Sequence, residues 1–313
     1  MNRRLFVRST VALAAALPAA SFAAEPGARK FTLALTPGSI GVTVKSQKEL
    51  NELAAKHAFE SVEPRGEELA GMSLEQLKET LADLTSKKLA WAAAGLSVDF
   101  RKDDATFREG LGKLPAIAAG LQRAGATRMG TWLSSTHDQL TYRANFQLHA
   151  DRLREIAKIL KDHGIRLGLE YVGTQSVLVK GRYPFLHTLA ETRELIAEIG
   201  TGNVGIVLDT WHWWTANDTI EDLLSLKNEE IVSVDLNDAP VGLEKRDLID
   251  TSRELPASTG VIDVASFVKA LIQIGYDGPI RPEPFNKPLN EMENDPACAA
   301  TITAMKKAVN GDR

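Results

Sequence analysis

Short apolar runs recur along the chain at a steady interval: FTLAL (31–35), FESVE (59–63), LAWAAA (89–94), TRMGTW (127–132), IRLGLE (165–170), VGIVLD (204–209), IVSVD (231–235) and PIRPE (279–283). Each is the length of a buried strand, and most are separated by a segment of helical period. In LHADRLREIAKILKDHG, Leu148, Leu153, Ile156, Ile159 and Leu160 repeat at that period, and Gly164 follows where a left-handed cap closes a helix. ASFVKALIQIGYDG repeats the design, with Asp263 as N-cap, Phe267, Leu271 and Ile274 on one face, and Gly275 past the end. Eight strand-like runs alternating with helices over this length predict an α/β fold, a single-domain (β/α)₈ TIM barrel. The rival, a doubly wound sheet, lacks a GxGxxG phosphate loop after any run. Residues 239–262 form the longest irregular connection, a candidate lid over the mouth of the barrel.

The start of the chain follows a different pattern. MNRRLFVRST, then VALAAALPAASFAA, gives a basic start, an apolar stretch and a small-residue end. We read residues 1–23 as an export signal of twin-arginine type, carried by Arg3 and Arg4, with cleavage after Ala23 and a barrel over 24–313. That destination is the periplasm. Its apolar stretch is too short to span a bilayer, and no later segment reaches that length without charges, so no stable membrane insertion is expected. Cys298 is the single cysteine, which excludes an internal disulfide. Net charge is −4, and more negative once Arg3, Arg4 and Arg8 leave with the signal, which argues against nucleic acid as a partner. A small neutral ligand suits the chain better, with self-association into a homo-oligomer left open.

Five acids close strand-like runs: Glu63, Glu170, Asp209, Asp235 and Glu283. In a barrel all five sit at the C-terminal mouth, where barrel enzymes keep their chemistry. Any one of them alone reads equally as a helix N-cap or a loop residue. Glu170, Asp209, Asp235 and Glu283 come from neighbouring strands, and four converging carboxylates repel one another unless a positive charge joins them. Basic side chains are expected to be too few, because Arg253 lies on the 239–262 loop and Arg281 is expected to face away from Glu283. A divalent cation with oxygen ligands is the expected alternative.

The stretches GLEYVG, VLDTWHWW, VDLNDAP, RELP to GVID (253–263) and IGYDGPIRPEPF together resemble the xylose isomerase-like superfamily of sugar isomerases, epimerases and related lyases. The resemblance runs in matching order from residue 31 to about 285. It implies a metal held by Glu170, Asp209, position 235 and Glu283. Relatives often carry histidine where this chain has Asp235, so either Asp235 completes an all-carboxylate site or Asn237 or Asp238 contributes. All-oxygen ligands shift preference toward Mg²⁺, Mn²⁺ or Ca²⁺ and away from Zn²⁺, with Mn²⁺ or Mg²⁺ expected. PASTG (256–260) also departs from the PGxG of relatives.

The resemblance implies an exported, metal-dependent sugar isomerase or epimerase. Glu170 and Glu283 then move the proton next to a carbonyl and His212 polarises a substrate oxygen, unless that ring merely packs among the tryptophans. Arg253, Glu63, Trp132 and Trp211 are the candidate substrate contacts, with an ion pair to Arg65 as the alternative for Glu63. His137 is a weaker candidate, and His57, His149, His163 and His187 are expected in helical segments as surface or packing residues. The same ligands would serve a lyase or dehydratase that cleaves a keto-sugar or keto-glycoside, or a non-catalytic sugar-binding barrel. An apurinic endonuclease would need more histidines and a basic surface.

Overall fold

The computed structural model describes residues 28–311; the expected export segment, residues 1–23, lies outside them. In chain order the strands are β1 (Thr32–Leu35), β2 (Ser61–Val62), β3 (Ala90–Trp91), β4 (Ala94–Gly95), β5 (Arg128–Trp132), β6 (Thr136–His137), β7 (Arg166–Glu170), β8 (Tyr183–Pro184), β9 (Val204–Asp209), β10 (Ile231–Leu236) and β11 (Pro279–Pro282). Nine of them form one parallel sheet in the order β3, β2, β1, β11, β10, β9, β7, β5, β4. The third apolar run is split: β3 pairs with β2, whereas β4, two residues on, pairs with β5. Residues 90–95 therefore join both ends of the sheet, and the curled sheet has the form of a (β/α)₈ barrel. β6 and β8 make a separate antiparallel pair above it.

Helices follow the strands as their period requires. Tyr142–Asp162 carries Leu153, Ile156 and Leu160 inward without exposure, and the chain turns at Gly164 with φ +70°. Asp263 caps Val264–Ile274 by accepting from Ser266 N at 3.0 Å, and Gly275 ends that helix at φ +75°. Among the described residues no helix is long and apolar enough to cross a membrane.

Residues 239–262 are held at mid-loop by Ser176 Oγ to Leu248 O (2.7 Å), Thr174 Oγ1 to Asp250 Oδ1 (2.7 Å) and Lys245 Nζ to Trp214 O (2.5 Å), and their two ends meet at one carboxylate. The buried Asp238 carboxylate accepts four backbone N–H bonds, from Ala239 (2.8 Å) and Ile262 (2.9 Å) at Oδ1 and from Thr259 (2.9 Å) and Gly260 (2.7 Å) at Oδ2. Asp238 and Glu254 also exchange backbone bonds of 2.9 Å, which sets the entry of Arg253 into the site.

Candidate active site

The strand ends deliver the acids where the repeat predicts. Glu170 ends β7, Asp209 ends β9, Asp235 is the penultimate residue of β10, and Glu283 follows β11. Ligand oxygens of these four buried carboxylates all lie within 4.8 Å of one another. Glu63, just past β2, lines the same mouth, and Arg65 pairs instead with Glu68 at 2.7 Å.

The expectation that Arg281 faces away from Glu283 is wrong. Residues two apart on a strand share a face, so Arg281 points inward with Glu283. Asp235 and Arg281 are register partners on adjacent strands, and the guanidinium grips Asp235 with Nε to Oδ1 at 2.6 Å and Nη2 to Oδ2 at 2.7 Å. The same Nη2 donates to Glu283 Oε1 at 2.8 Å. Arg253 enters from the lid as a second buried cation; its Nη1 donates to Asp209 Oδ2 (2.9 Å) and Glu283 Oε2 (3.2 Å), and its Nη2 to Asp250 Oδ1 (3.2 Å). Carboxylates on every side hold both guanidiniums above their ordinary values despite burial.

Asp209 does two jobs at once. Its Oδ1 accepts from Trp211 N (2.6 Å) and His212 N (3.3 Å), capping the helix Thr210–Ala216, while the Asn237 amide bonds both oxygens at 2.9 Å. Asn237 and Asp238 are thus committed to Asp209 and to the lid. The helix cap fixes His212, a buried ring that burial lowers to about 4, so it is neutral at physiological pH. Gly173 N stands 3.3 Å from its Nδ1 and the Arg253 guanidinium approaches its Nε2, so donors face both ring nitrogens. Nε2 faces Glu170 Oε1 at 3.7 Å and Arg253 Nη2 at 3.2 Å.

Glu170 is the exception among the four. It is buried, Oε1 has no hydrogen-bond partner, and burial, then Glu283, Asp235 and Asp209, raise its carboxyl well above the usual range. Burial likewise raises Glu283 against the pull of Arg281, and raises Asp235. The four cluster carboxylates and two guanidiniums sum to −2 if all are ionised, and Asp250, bound to the same Arg253, makes the surplus more negative still. A hard divalent ion with oxygen bonds of about 2.1 Å sets opposite ligands about 4.2 Å apart. The donor set, its span, its residual charge and the orphaned Glu170 oxygen fit such an ion, and the cluster is capable of coordinating one.

Beside the cluster lies a cavity of about 260 Å³, bordered by Glu63, Arg101, Trp132, Glu170, Arg281 and Glu283 over a floor of Ala93, Ala94, Gly95 and Gly130. Trp132 is 48% exposed there, with the Arg101 guanidinium 4.2 Å from its ring centre. Trp211 does not reach the cavity: it has no exposure, its Nε1 donates to Thr174 Oγ1 at 2.8 Å, and it packs under Arg253. This corrects its place among the substrate contacts, since one turn of helix sends that indole to the core. Arg253 likewise sits among the acids rather than at the cavity wall. His137 Nδ1 accepts two backbone N–H bonds in its own loop, His149 is buried, His57 and His163 cap helices, and His187 precedes a helix rather than lying in one. Arg281, Arg101 and Asp250 are the site residues that sequence reasoning missed.

The fold is shared with known proteins. The xylose isomerase-like TIM barrel family profile matches residues 52–308. Inosose isomerase of Bacillus velezensis is 25% identical over 242 residues, covering 75% of this chain and 81% of that protein. The structure of a xylose isomerase domain protein from Alicyclobacillus acidocaldarius superposes with a TM-score of 0.77 at 28% identity, covering 90% of this chain and 98% of that one. The IOLI protein with a bound zinc atom shares the fold, with a TM-score of 0.73 at 19% identity over 90% of this chain and 99% of that one. With its acid cluster at the mouth of a barrel, this chain is an enzyme and belongs to the xylose isomerase-like TIM barrel family.

Proposed function

We propose that the protein is an exported, divalent-cation-dependent sugar isomerase or epimerase acting next to a carbonyl. The observation that carries this reading is the convergence of Glu170, Asp209, Asp235 and Glu283 beside a cavity of about 260 Å³, with Glu170 Oε1 unpartnered. A Mg²⁺ or Mn²⁺ ion among these oxygens would polarise the carbonyl and the adjacent hydroxyl of a sugar.

The side chains of this chain divide the remaining work. Glu170 and Glu283 border the cavity, so one takes the proton from the substrate carbon and the other, protonated beforehand from solvent, delivers its own to the neighbouring carbon or the opposite face. His212 is the proposed polarising group for the substrate oxygen nearest the acid cluster, its ring lying behind Glu170 at 3.7 Å rather than on the cavity wall. Arg253 fixes Asp209 and Glu283, and Glu63 and the exposed face of Trp132 hold hydroxyls and the C–H side of the sugar. A free sugar or glycoside is the proposed partner, with nucleic acid disfavoured by the net charge of −4. The pattern of residues 1–23 supports delivery to the periplasm.

The test is incubation of Mn²⁺-loaded and chelator-stripped protein with a panel of sugars and 3-keto-sugars in D₂O, read by mass. Deuterium uptake without change of composition, dependent on the cation and absent from Glu170→Gln, is the expected result. Loss of water or release of an aglycone would replace the isomerase with a lyase. Uptake that survives stripping would refute the cation's part.

A further inference from the structure

The four carboxylates are not equivalent. Both oxygens of Asp235 are taken by one guanidinium, at 2.6 and 2.7 Å. Asp209 is approached by Arg253 through a single nitrogen, Glu283 is shared between Arg253 (3.2 Å) and Arg281 (2.8 Å), one to each oxygen, and Glu170 meets no arginine at hydrogen-bond distance. A cation on Asp235 would press against the guanidinium that already grips that carboxylate. Nor is Asp235 needed as a ligand: Glu170, Asp209 and Glu283 offer ligand oxygens within 4.8 Å of one another without it.

Arg281 in turn is positioned toward the substrate. Its strand places it opposite Asp235, its side chain borders the cavity and is 28% exposed there, and Nε and Nη2 are committed to Asp235 and Glu283. Nη1 is left for another partner. A fork fixed on one side by a bidentate carboxylate presents its remaining amino group with little loss of freedom.

We infer that Asp235 and Arg281 act as one unit, in which Asp235 is a positioning residue rather than a cation ligand and Arg281 donates Nη1 to a substrate oxygen that gains negative charge. This rests on the reading of the cluster as a cation site and narrows it. The barrel mouth then carries two sources of positive charge for the developing oxyanion: the ion, and a guanidinium on β11.

The test reads cation and ligand affinity separately, on the full chain. Mn²⁺ binding is measured by electron paramagnetic resonance for the native protein, for Glu170→Gln and for the charge-conserving double variant Asp235→Asn with Arg281→Gln. Erythronohydroxamate, a planar enediolate mimic, is then titrated into the Mn²⁺-loaded native protein and Arg281→Lys by calorimetry. The double variant is expected to bind Mn²⁺ within about tenfold of native, the range of an outer contact, and more tightly than Glu170→Gln. Arg281→Lys is expected to bind Mn²⁺ within about threefold of native yet hold the hydroxamate at least about tenfold more weakly. A double variant that loses Mn²⁺ as fully as Glu170→Gln, or an Arg281→Lys protein with native hydroxamate affinity, overturns the inference while the cation site stands. If the double variant does not fold, the two affinities of Arg281→Lys decide alone. Native protein that takes up no Mn²⁺ overturns both readings.

Discussion

Replacing Asp238 by asparagine should loosen the lid without touching the acid cluster. The carboxylate accepts from Thr259 and Gly260 at Oδ2 and from Ala239 and Ile262 at Oδ1. Asparagine keeps an oxygen for one pair and turns an NH₂ group toward the other, so two charge-assisted bonds become donor against donor. Each such bond contributes about 1.5 to 3 kcal/mol, and because the exposed loop can relax into water we expect the lower end, about 3 kcal/mol for the two. The opening of residues 259–262 then becomes about 100-fold more frequent, at about 1.4 kcal/mol per decade. Amide hydrogen exchange read by mass on peptides across 239–262 measures this directly, with the helix Tyr142–Asp162 as an unchanged reference. Arg253 enters the site from this loop, so turnover should fall about tenfold or more. Exchange at Thr259 and Gly260 within about threefold of native would refute the claim that one buried carboxylate holds residues 259–262 in place.

Three further outcomes follow from the geometry. Glu170→Gln and Glu283→Gln should each lower deuterium uptake into substrate at least about 10³-fold while the thermal unfolding midpoint holds or rises, because each removes a carboxylate from a negative cluster. Gly173→Ala should impair turnover by about tenfold or more with the barrel intact: its Cβ would stand 2.5 Å from His212 O, so the helix Thr210–Ala216 must shift, and steady-state rates would register it. His149 is buried with its Nε2 unpartnered and is lowered to about 4 from an unfolded value of 6.5. The unfolded chain binds the extra proton between those limits, so stability is full above about 6.5 and declines as pH falls toward 4, by about 3 kcal/mol in all. Urea titrations of native and His149→Gln protein over that range should show the smaller slope in the variant; equal slopes would contradict it.

Much of this architecture was legible because two periods, 2 and 3.6, write barrel strands and their covering helices directly into the order of apolar residues. The end of each run located the four carboxylates within a residue of their places. The split of LAWAAA into β3 and β4 was not legible, since it follows from pairing with two neighbours at once. Arg281 was misplaced although the sequence held the answer: strand alternation puts 281 and 283 on one face, and the register opposite Asp235 does the rest. Trp211, Trp213 and Trp214 could not be sorted from composition, because their exposure depends on the phase of one short helix. Arg253 and Asp250 come from an aperiodic loop whose path is set by Asp238, a tertiary contact with no local signature. Asp209 answers to both of its sequence readings, as helix cap and as member of the cluster.

The central claim is that the negative charge Arg253 and Arg281 leave uncompensated among the four cluster carboxylates draws one divalent ion. Titration of chelator-stripped protein with Mn²⁺, followed by electron paramagnetic resonance, tests it most directly. One tightly bound ion per chain, lost in Glu170→Gln and displaced by Mg²⁺, is the predicted result. Only weak, non-stoichiometric uptake that is the same in Glu170→Gln would contradict it and leave protons, rather than a metal, balancing the cluster.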